Sequence, residues 1–152
     1  MIPAELRQRP HWVRHVARRP VTTEGAPASS TDPATWDTYA AVRRFTSKGY
    51  VLTTGDGLVV LDLDACLDGD QLAGWARRIL DGLPATYTER SPSGRGLHVW
   101  GVGTAPRSGV LTLAGHRVEC YTTARFMTVT GDRYAGAPST LADLTDSIRA
   151  LT

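Results

Sequence analysis

The fold prediction rests on one stretch, Leu58-Val59-Val60-Leu61-Asp62-Leu63-Asp64. Its first residues are apolar at every position, which is typical of a strand covered on both faces in the middle of a sheet. Asp62 and Asp64 lie two residues apart, so their side chains point to the same face of an extended chain. The stretch therefore predicts a central strand that carries two carboxylates together at one end.

Paired carboxylates of this kind have more than one explanation. They raise each other's pKa unless a cation lies between them, and oxygen ligands suit Mg²⁺ or Mn²⁺. A polar strand end that leads into a turn would give the same short motif. A calcium-binding EF-hand loop is excluded, because Leu67 stands where that loop needs glycine and Ala73 stands where it needs glutamate.

Two later segments also place polar groups on predicted strands. Residues 91–98, Ser-Pro-Ser-Gly-Arg-Gly-Leu-His, form a glycine-rich loop whose backbone amides can approach a phosphate, and its Arg95 carries a guanidinium that suits phosphate. His98 lies on the following strand, and Leu97 and Val99 are expected to face the other way. Glu119 lies in mid-strand between apolar neighbours, where burial would require a partner such as a shared metal. A plain hairpin loop, a core histidine and a solvent-facing glutamate on an edge strand are the structural alternatives.

The remaining pattern predicts an α+β domain with a mostly antiparallel sheet core and flanking helices, without giving the strand order. Strands are predicted at 11–13, 50–53, 58–64, 87–89, 97–100, 117–121 and 126–130. One helix is predicted from Asp32-Pro33 to about Phe45, with Gly49 ending it. A second is capped by Asp70 and runs to about Gly82, and a third starts at Ser139 or Thr140 and carries a stripe of Leu141, Leu144, Ile148 and Leu151.

Length and composition indicate a single domain, residues 1–152. No apolar run is long enough to span a membrane and the first residues do not resemble a signal peptide, so a cytoplasmic protein without membrane partners is expected. Cys66, Cys120 and His98 could form a zinc site, although the spacing matches no zinc motif and buried free thiols are the usual state. The net charge is only +2. Two clusters of basic residues nevertheless suit phosphate contacts: Arg7, Arg9, Arg14, Arg18 and Arg19, and Arg43, Arg44 and Lys48.

The order of the three motifs resembles the archaeo-eukaryotic primase superfamily, in particular the primase-polymerase domains at the N-termini of phage and plasmid replication proteins. The family pattern is an apolar strand ending in Asp-x-Asp, a small-residue loop leading to His, and an apolar strand bearing an acid. These correspond here to 61–64, 91–98 and Val118-Glu119. Weaker similarity at 12–13, 29–33, 86–92 and 125–131 extends the resemblance over roughly residues 11–131.

The resemblance implies a DNA primase/DNA polymerase with a two-metal mechanism. Asp62, Asp64 and Glu119 would bind Mg²⁺ or Mn²⁺, and His98 would complete the catalytic set. The phosphates of the incoming nucleotide would contact Ser91, Ser93, Arg95 and His98. Single-stranded DNA template and nucleoside triphosphates would be the partners, in the bacterial host cytoplasm if the gene is phage- or plasmid-borne.

The resemblance also implies a helicase, as a further domain or as a separate protein. No Gly-x4-Gly-Lys-Ser/Thr loop occurs in the chain, so residues 1–152 would be the catalytic domain at the N-terminus of a larger primase-helicase, or would work with such a protein. Two other functions are open from the residues alone. One is a non-catalytic nucleic-acid-binding module for replication initiation, and the other is a metal-dependent nuclease.

Overall fold

Two antiparallel sheets form the body of the computed structural model, which describes residues 1–152. In chain order the elements are α1 (Ala4–Arg7), β1 (Trp12–Val16), β2 (Arg19–Val21), a 3₁₀ turn (Pro33–Thr35), α2 (Tyr39–Val42), β3 (Lys48–Leu52), β4 (Leu58–Leu63), β5 (Leu67–Asp68), β6 (Gln71–Leu72), α3 (Gly74–Asp81), β7 (Thr88–Arg90), β8 (Leu97–Val102), β9 (Gly109–Leu113), β10 (His116–Tyr121), β11 (Arg125–Thr128) and α4 (Thr145–Leu151). One sheet has the order β7-β8-β4-β10-β9 and the other has the order β11-β3-β1-β2. The fold class is α+β, as predicted.

The central position of β4 in the five-stranded sheet confirms the prediction from its apolar pattern. Alternate side chains of this sheet belong to two separate cores. Val59, Leu61 and Leu63 pack on the face that α3 and α4 cover, here called the back face. Val60 and Trp100 pack on the opposite, front face, against residues of the four-stranded sheet. The molecule therefore has three layers, namely helices, the five-stranded sheet and the four-stranded sheet.

The helices are short, and α3 is the longest at 8 residues. Ala76 and Ile79 of α3 and Ile148 of α4 are fully buried against the back face. Gly82 ends α3, as predicted. None of the helices has the length and apolar character needed to cross a bilayer.

The helix predicted over 32–45 is wrong. Asp32 does cap a turn, since its Oδ1 accepts a hydrogen bond from the Ala34 amide at 3.0 Å, but that turn covers only Pro33–Thr35. The chain is then extended, because the backbone of Asp37 exchanges two hydrogen bonds with Trp12, at 3.0 and 2.8 Å. Downstream of this extended segment, the helix α2 is only four residues long. Gly49 ends no helix and lies within β3.

Two other predicted boundaries are also wrong. Asp70 does not cap α3, because it lies in the tight turn between β5 and β6 and forms an ion pair with Arg90 at 2.8 Å. The C-terminal helix starts at Thr145, so Leu141 precedes it and packs in the front core. The strands β2, β5, β6 and β9 were not predicted, because each is short or belongs to a segment rich in glycine, serine or charged residues.

Candidate active site

Four polar residues lie on one line across the five-stranded sheet. Glu89 of β7 is the register partner of His98 of β8, which is the partner of Asp62 of β4, which in turn is the partner of Glu119 of β10. Asp64 follows Asp62 by two residues, just beyond the end of β4. His98, Asp62, Asp64 and Glu119, which three separate motifs had suggested, are thus brought together on the front face, and Glu89 joins them there.

In this polar row, His98, Asp62 and Glu119 line a cleft of about 320 Å³ between the two sheets together with Asp64, whereas Glu89 is fully buried and is not part of the lining. Arg18, at the tip of the hairpin between β1 and β2, and Arg125, at the start of β11, lie on the opposite wall and are both exposed. The full lining is Arg18, Asp62, Asp64, Ser91, Pro92, Ser93, His98, Glu119, Arg125, Phe126, Met127 and Thr128. Carboxylates and cations therefore face each other across a space large enough for a small charged ligand.

The surroundings of Asp62 shift the pKa of its carboxyl. Burial raises the pKa of its carboxyl, the charge of His98 acts in the opposite direction, and the neighbouring carboxylates of Glu119 and Asp64 raise the pKa further. The net shift is upward. Ionised Asp62 is therefore disfavoured in the folded protein, which is typical of carboxylates gathered for a ligand at the expense of stability.

The Asp62→Asn variant is expected to melt at a higher temperature than the wild type at neutral pH in buffer with EDTA. Because its pKa is raised on folding, Asp62 favours the folded state while protonated, below its ordinary value of 3.8, and loses that contribution as the pH rises through the raised pKa. Asparagine is neutral throughout, so the advantage of the variant should grow over this window in calorimetric scans. Asp68→Asn, at an exposed position, is the control. A variant that melts below the wild type at pH 7 would contradict the expectation.

Glu119 is exposed, so the burial that would have demanded a partner does not occur, and the solvent-facing alternative describes its side chain. Glu119 nevertheless lies on an interior strand of the sheet, and its Oε2 accepts a hydrogen bond from the Tyr121 hydroxyl at 2.6 Å. Burial and this hydrogen bond raise the pKa of Tyr121 to about 12.

The donor set of the row fits a divalent cation, since carboxylate oxygens are hard ligands and the carboxylates of Asp62, Asp64 and Glu119 lie close together on neighbouring strands. No three histidine, cysteine or acidic side chains converge closely enough to share one ion as the side chains stand. The Glu119 carboxylate is turned to Tyr121, and Asp62 Oδ1 faces His98 Nε2 at 3.9 Å. The zinc alternative is excluded, because Cys66 and Cys120 are buried in the back core and His98 is on the front face.

His98 is 4% exposed, and its neighbours Leu97 and Val99 face the back core as predicted. Its Nε2 points toward Asp62 and the cleft, while Nδ1 lies 3.5 Å from Oε1 of Glu89, a long distance for a hydrogen bond. Burial acts to lower the pKa of His98, but the carboxylates of Glu89 and Asp62 outweigh it, and the pKa is raised. The carboxylates around the ring therefore favour its charged form beside the cleft.

The loop before His98 contributes two hydroxyls to the cleft, those of Ser91 and Ser93. Arg95 is exposed and is not among the lining residues. The backbone amides expected to approach a phosphate are bonded within the loop: Gly94 to the Ser91 carbonyl, Arg95 to Ser93 Oγ and Gly96 to Ser91 Oγ. The loop therefore presents side-chain hydroxyls, and its amides hold its own shape.

Half of the basic residues in the two predicted clusters bond to carbonyl groups of the protein itself. Lys48 is buried and donates to the Phe45 carbonyl. The guanidinium groups of three arginines donate likewise: Arg7 to Ile2, Arg9 to Asp56 and Arg14 to Thr23. Sequence reasoning missed Arg125, Phe126 and Glu89 as residues of the site. One signal for Glu89 was available in the sequence. Tyr87 and Glu89 are two residues apart, so on an extended chain their side chains lie on the same face.

Comparison with known proteins identifies the family of the chain. The family described as "Bifunctional DNA primase/polymerase, N-terminal" matches residues 3–148. The DNA primase-polymerase of Nitratiruptor phage NrS-1 is 38% identical over 123 residues, which are 74% of this chain and 17% of that protein. The chain thus spans only a small part of the relative's length. Since the family match covers nearly all of the chain and includes every residue of the polar row, the chain belongs to the bifunctional DNA primase/polymerase N-terminal family.

Proposed function

We propose that the chain is a metal-dependent nucleotidyltransferase that makes or extends DNA primers on a single-stranded template. The observation that carries this proposal is the direct pairing of Asp62 with Glu119 across β4 and β10, with Asp64 beside them and His98 on the adjoining strand. The reaction forms a bond between the primer 3′ oxygen and the α-phosphorus of a nucleoside triphosphate, and it releases pyrophosphate. The name of the phage relative supports the assignment.

Asp62, Asp64 and Glu119 would hold two Mg²⁺ or Mn²⁺ ions, once Glu119 turns away from Tyr121. Bound divalent cations supply activation of the attacking hydroxyl and neutralisation of charge on the leaving group. The protein's own contribution is to hold three acids on one face of a rigid sheet, because strands fix side-chain positions better than loops do.

The phosphates would bind between His98 and the two serine hydroxyls on one wall and the cations of the other wall. Phosphoryl transfer requires mainly positioning and charge neutralisation. His98, with its raised pKa, and Arg125, whose guanidinium lies 4.3 Å from the centre of the Tyr121 ring, are placed to provide them. Arg95, at the tip of the serine loop, would add charge from farther away.

Replacing Arg125 with alanine is expected to raise the KM for nucleotide roughly tenfold, because one charge-assisted contact to phosphate would be lost. Arg95→Ala should have a smaller effect, since Arg95 does not line the cleft. Steady-state primer extension measures both. Arg77→Ala, an exposed arginine of α3, is the matched control and should behave as wild type. A larger effect from Arg95→Ala than from Arg125→Ala would show that the phosphates lie elsewhere.

We further propose that the fold is of the archaeo-eukaryotic primase type and that residues 1–152 are the catalytic domain at the N-terminus of a larger replication protein. The length of the phage relative supports this arrangement. A helicase, in the same chain or as a separate protein, would then supply the unwound template, and the reaction would take place in the cytoplasm of the bacterial host.

The experiment is primer synthesis on single-stranded DNA with labelled nucleotides and Mn²⁺ or Mg²⁺. Labelled products of increasing length, lost on addition of EDTA, are expected. Degradation of the DNA in the absence of nucleotides would indicate a nuclease instead. Salt-sensitive DNA binding that ignores the metal, with no product, would indicate a non-catalytic binding module.

A further inference from the structure

Glu89 is the one carboxylate of the row that is completely buried, with an exposed fraction of 0%. Its Oε2 accepts hydrogen bonds from the Tyr87 hydroxyl at 2.7 Å and from the Gly131 amide at 2.8 Å. The Thr130 amide donates to both carboxylate oxygens, at 3.1 and 3.2 Å. A carboxylate that receives several donors at such distances is suited to remain ionised in the interior, where an unpaired charge would be very costly.

The geometry around His98 depends on this carboxylate. The Nδ1 atom of His98 is buried, has no hydrogen-bond partner of good geometry, and faces Glu89 Oε1 at 3.5 Å. An ionised carboxylate only accepts hydrogen bonds, so the ring nitrogen that faces it must carry a proton. Nε2 is then the atom directed at the cleft.

We propose that Glu89 is a positioning residue that fixes the His98 ring with Nδ1–H inward, so that Nε2 is presented to the phosphates of a bound nucleoside triphosphate. This inference rests on the proposed function for the phosphate contact. The ring orientation itself does not depend on that function. Glu89 acts through His98 and touches no reacting atom.

The same carboxylate also joins the two sheets. Thr130 and Gly131 follow β11, which supplies the wall of the cleft opposite His98, and Thr130 additionally donates to the Arg90 carbonyl at 2.6 Å. Glu89 therefore orients a residue on one wall and holds the chain that continues from the other. If Glu89 only joined the two sheets, replacing it would lower the stability of the protein. If Glu89 positions His98, replacing it should also weaken ligand binding, and only while His98 is present.

A double-mutant cycle separates these roles. Binding of inorganic triphosphate in the presence of Mg²⁺ is measured by calorimetry for the wild type, Glu89→Gln, His98→Gln and the double variant. Glu89→Gln is expected to weaken binding on the order of tenfold, in line with the loss of a residue that orients a ligand-binding histidine. In the His98→Gln background the same change should have no further effect. An equal loss in both backgrounds would overturn the proposal.

Thr86→Val is the stability control. Thr86 is also buried and its hydroxyl bonds the Trp100 carbonyl and the Ala142 amide, but it does not contact His98. This variant should lower the melting temperature while binding triphosphate as the wild type does. Weakened triphosphate binding in Thr86→Val as large as that in Glu89→Gln would show that Glu89 acts only through stability. If Glu89→Gln does not fold, Glu89→Asp takes its place, because aspartate keeps the charge but is too short to reach Nδ1 as closely. Its loss of triphosphate binding should likewise disappear in the His98→Gln background.

A long-range proton–nitrogen NMR spectrum of the histidine rings, recorded without nucleotide, shows directly which nitrogen of the His98 ring carries a proton. A protonated Nδ1 of His98 is expected in the wild type, and Glu89→Gln should lose or shift that signal. An unchanged signal in Glu89→Gln would overturn the inference even if the enzyme is active. Failure of the proposed function has a different signature, namely a wild type that binds no triphosphate and makes no primer while the NMR change persists.

Discussion

Replacing Asp64 with alanine is expected to slow primer extension at least a thousandfold. Asp64 lies at the end of β4 beside the pair of Asp62 and Glu119, so its loss removes a ligand for the cations that this reaction needs. Charge stabilisation by such cations contributes several kcal/mol to the transition state, and each 1.36 kcal/mol corresponds to a factor of about ten in rate. Single-turnover extension of a labelled primer with saturating Mn²⁺ measures the chemical step.

The fold of this variant should be intact, because the Asp64 side chain is exposed. Unfolding temperature and circular dichroism should match those of the wild type. Asp68→Ala, another exposed acid a few residues downstream and outside the cleft, is the matched control and should extend primers normally. If Asp64→Ala kept its rate within about tenfold of wild type, the assignment of Asp64 as a metal ligand would be wrong.

Replacing Gly49 with alanine is expected to destabilise the protein by about 3 kcal/mol, the upper end for inserting an atom into a packed interior. A Cβ at this position would overlap Phe126 Cε2 and would lie 2.5 Å from the Met127 carbonyl oxygen. Movement of the Phe126 ring would not relieve the overlap by itself, because the backbone of β11 at Met127 is also in contact. Since Phe126 lines the cleft, the change should both lower stability and disturb nucleotide binding.

Urea unfolding of Gly49→Ala measures this loss. Gly74→Ala is the control, because a Cβ there meets only Arg78 Nη1 at 3.8 Å and the residue begins α3 with room to spare. Alanine in a helix is favoured over glycine by roughly 0.5–1 kcal/mol, so Gly74→Ala should be neutral or slightly stabilising. A Gly49→Ala variant as stable as the wild type would mean that the packing of Phe126 on β3 is looser than the structure shows.

Local sequence patterns predicted part of the site. The apolar run before Asp62 predicted that β4 is central, and the spacing of Leu97, His98 and Val99 predicted that the histidine leaves the back core. These predictions were confirmed because strand periodicity alone assigns side chains to faces. The family resemblance added Glu119 to the same set. Its role as a ligand stays a prediction.

Long-range pairing accounts for most of what sequence reasoning missed or misplaced. The hydrogen bonds of Asp37 with Trp12 interrupt the helix predicted over 32–45, and no local signal announces them. Arg125 reaches the cleft only because β11 pairs with β3 in the facing sheet. The glycines beside Arg95 favoured this loop as a phosphate site, yet the backbone amides of Arg95 and Gly96 bond to serine hydroxyls of the loop itself. Register between distant strands is fixed by the assembled core, which a single sequence does not reveal.

The most direct measurement is a crystal structure with Mn²⁺ and a nucleoside triphosphate whose α–β bridge resists cleavage, with diffraction recorded at the manganese absorption edge. We expect anomalous peaks in contact with the carboxylates of Asp62, Asp64 and Glu119, and phosphates on the side of His98 and the serine loop. Peaks that lie away from these carboxylates, or that persist unchanged in Asp62→Asn crystals, would contradict it.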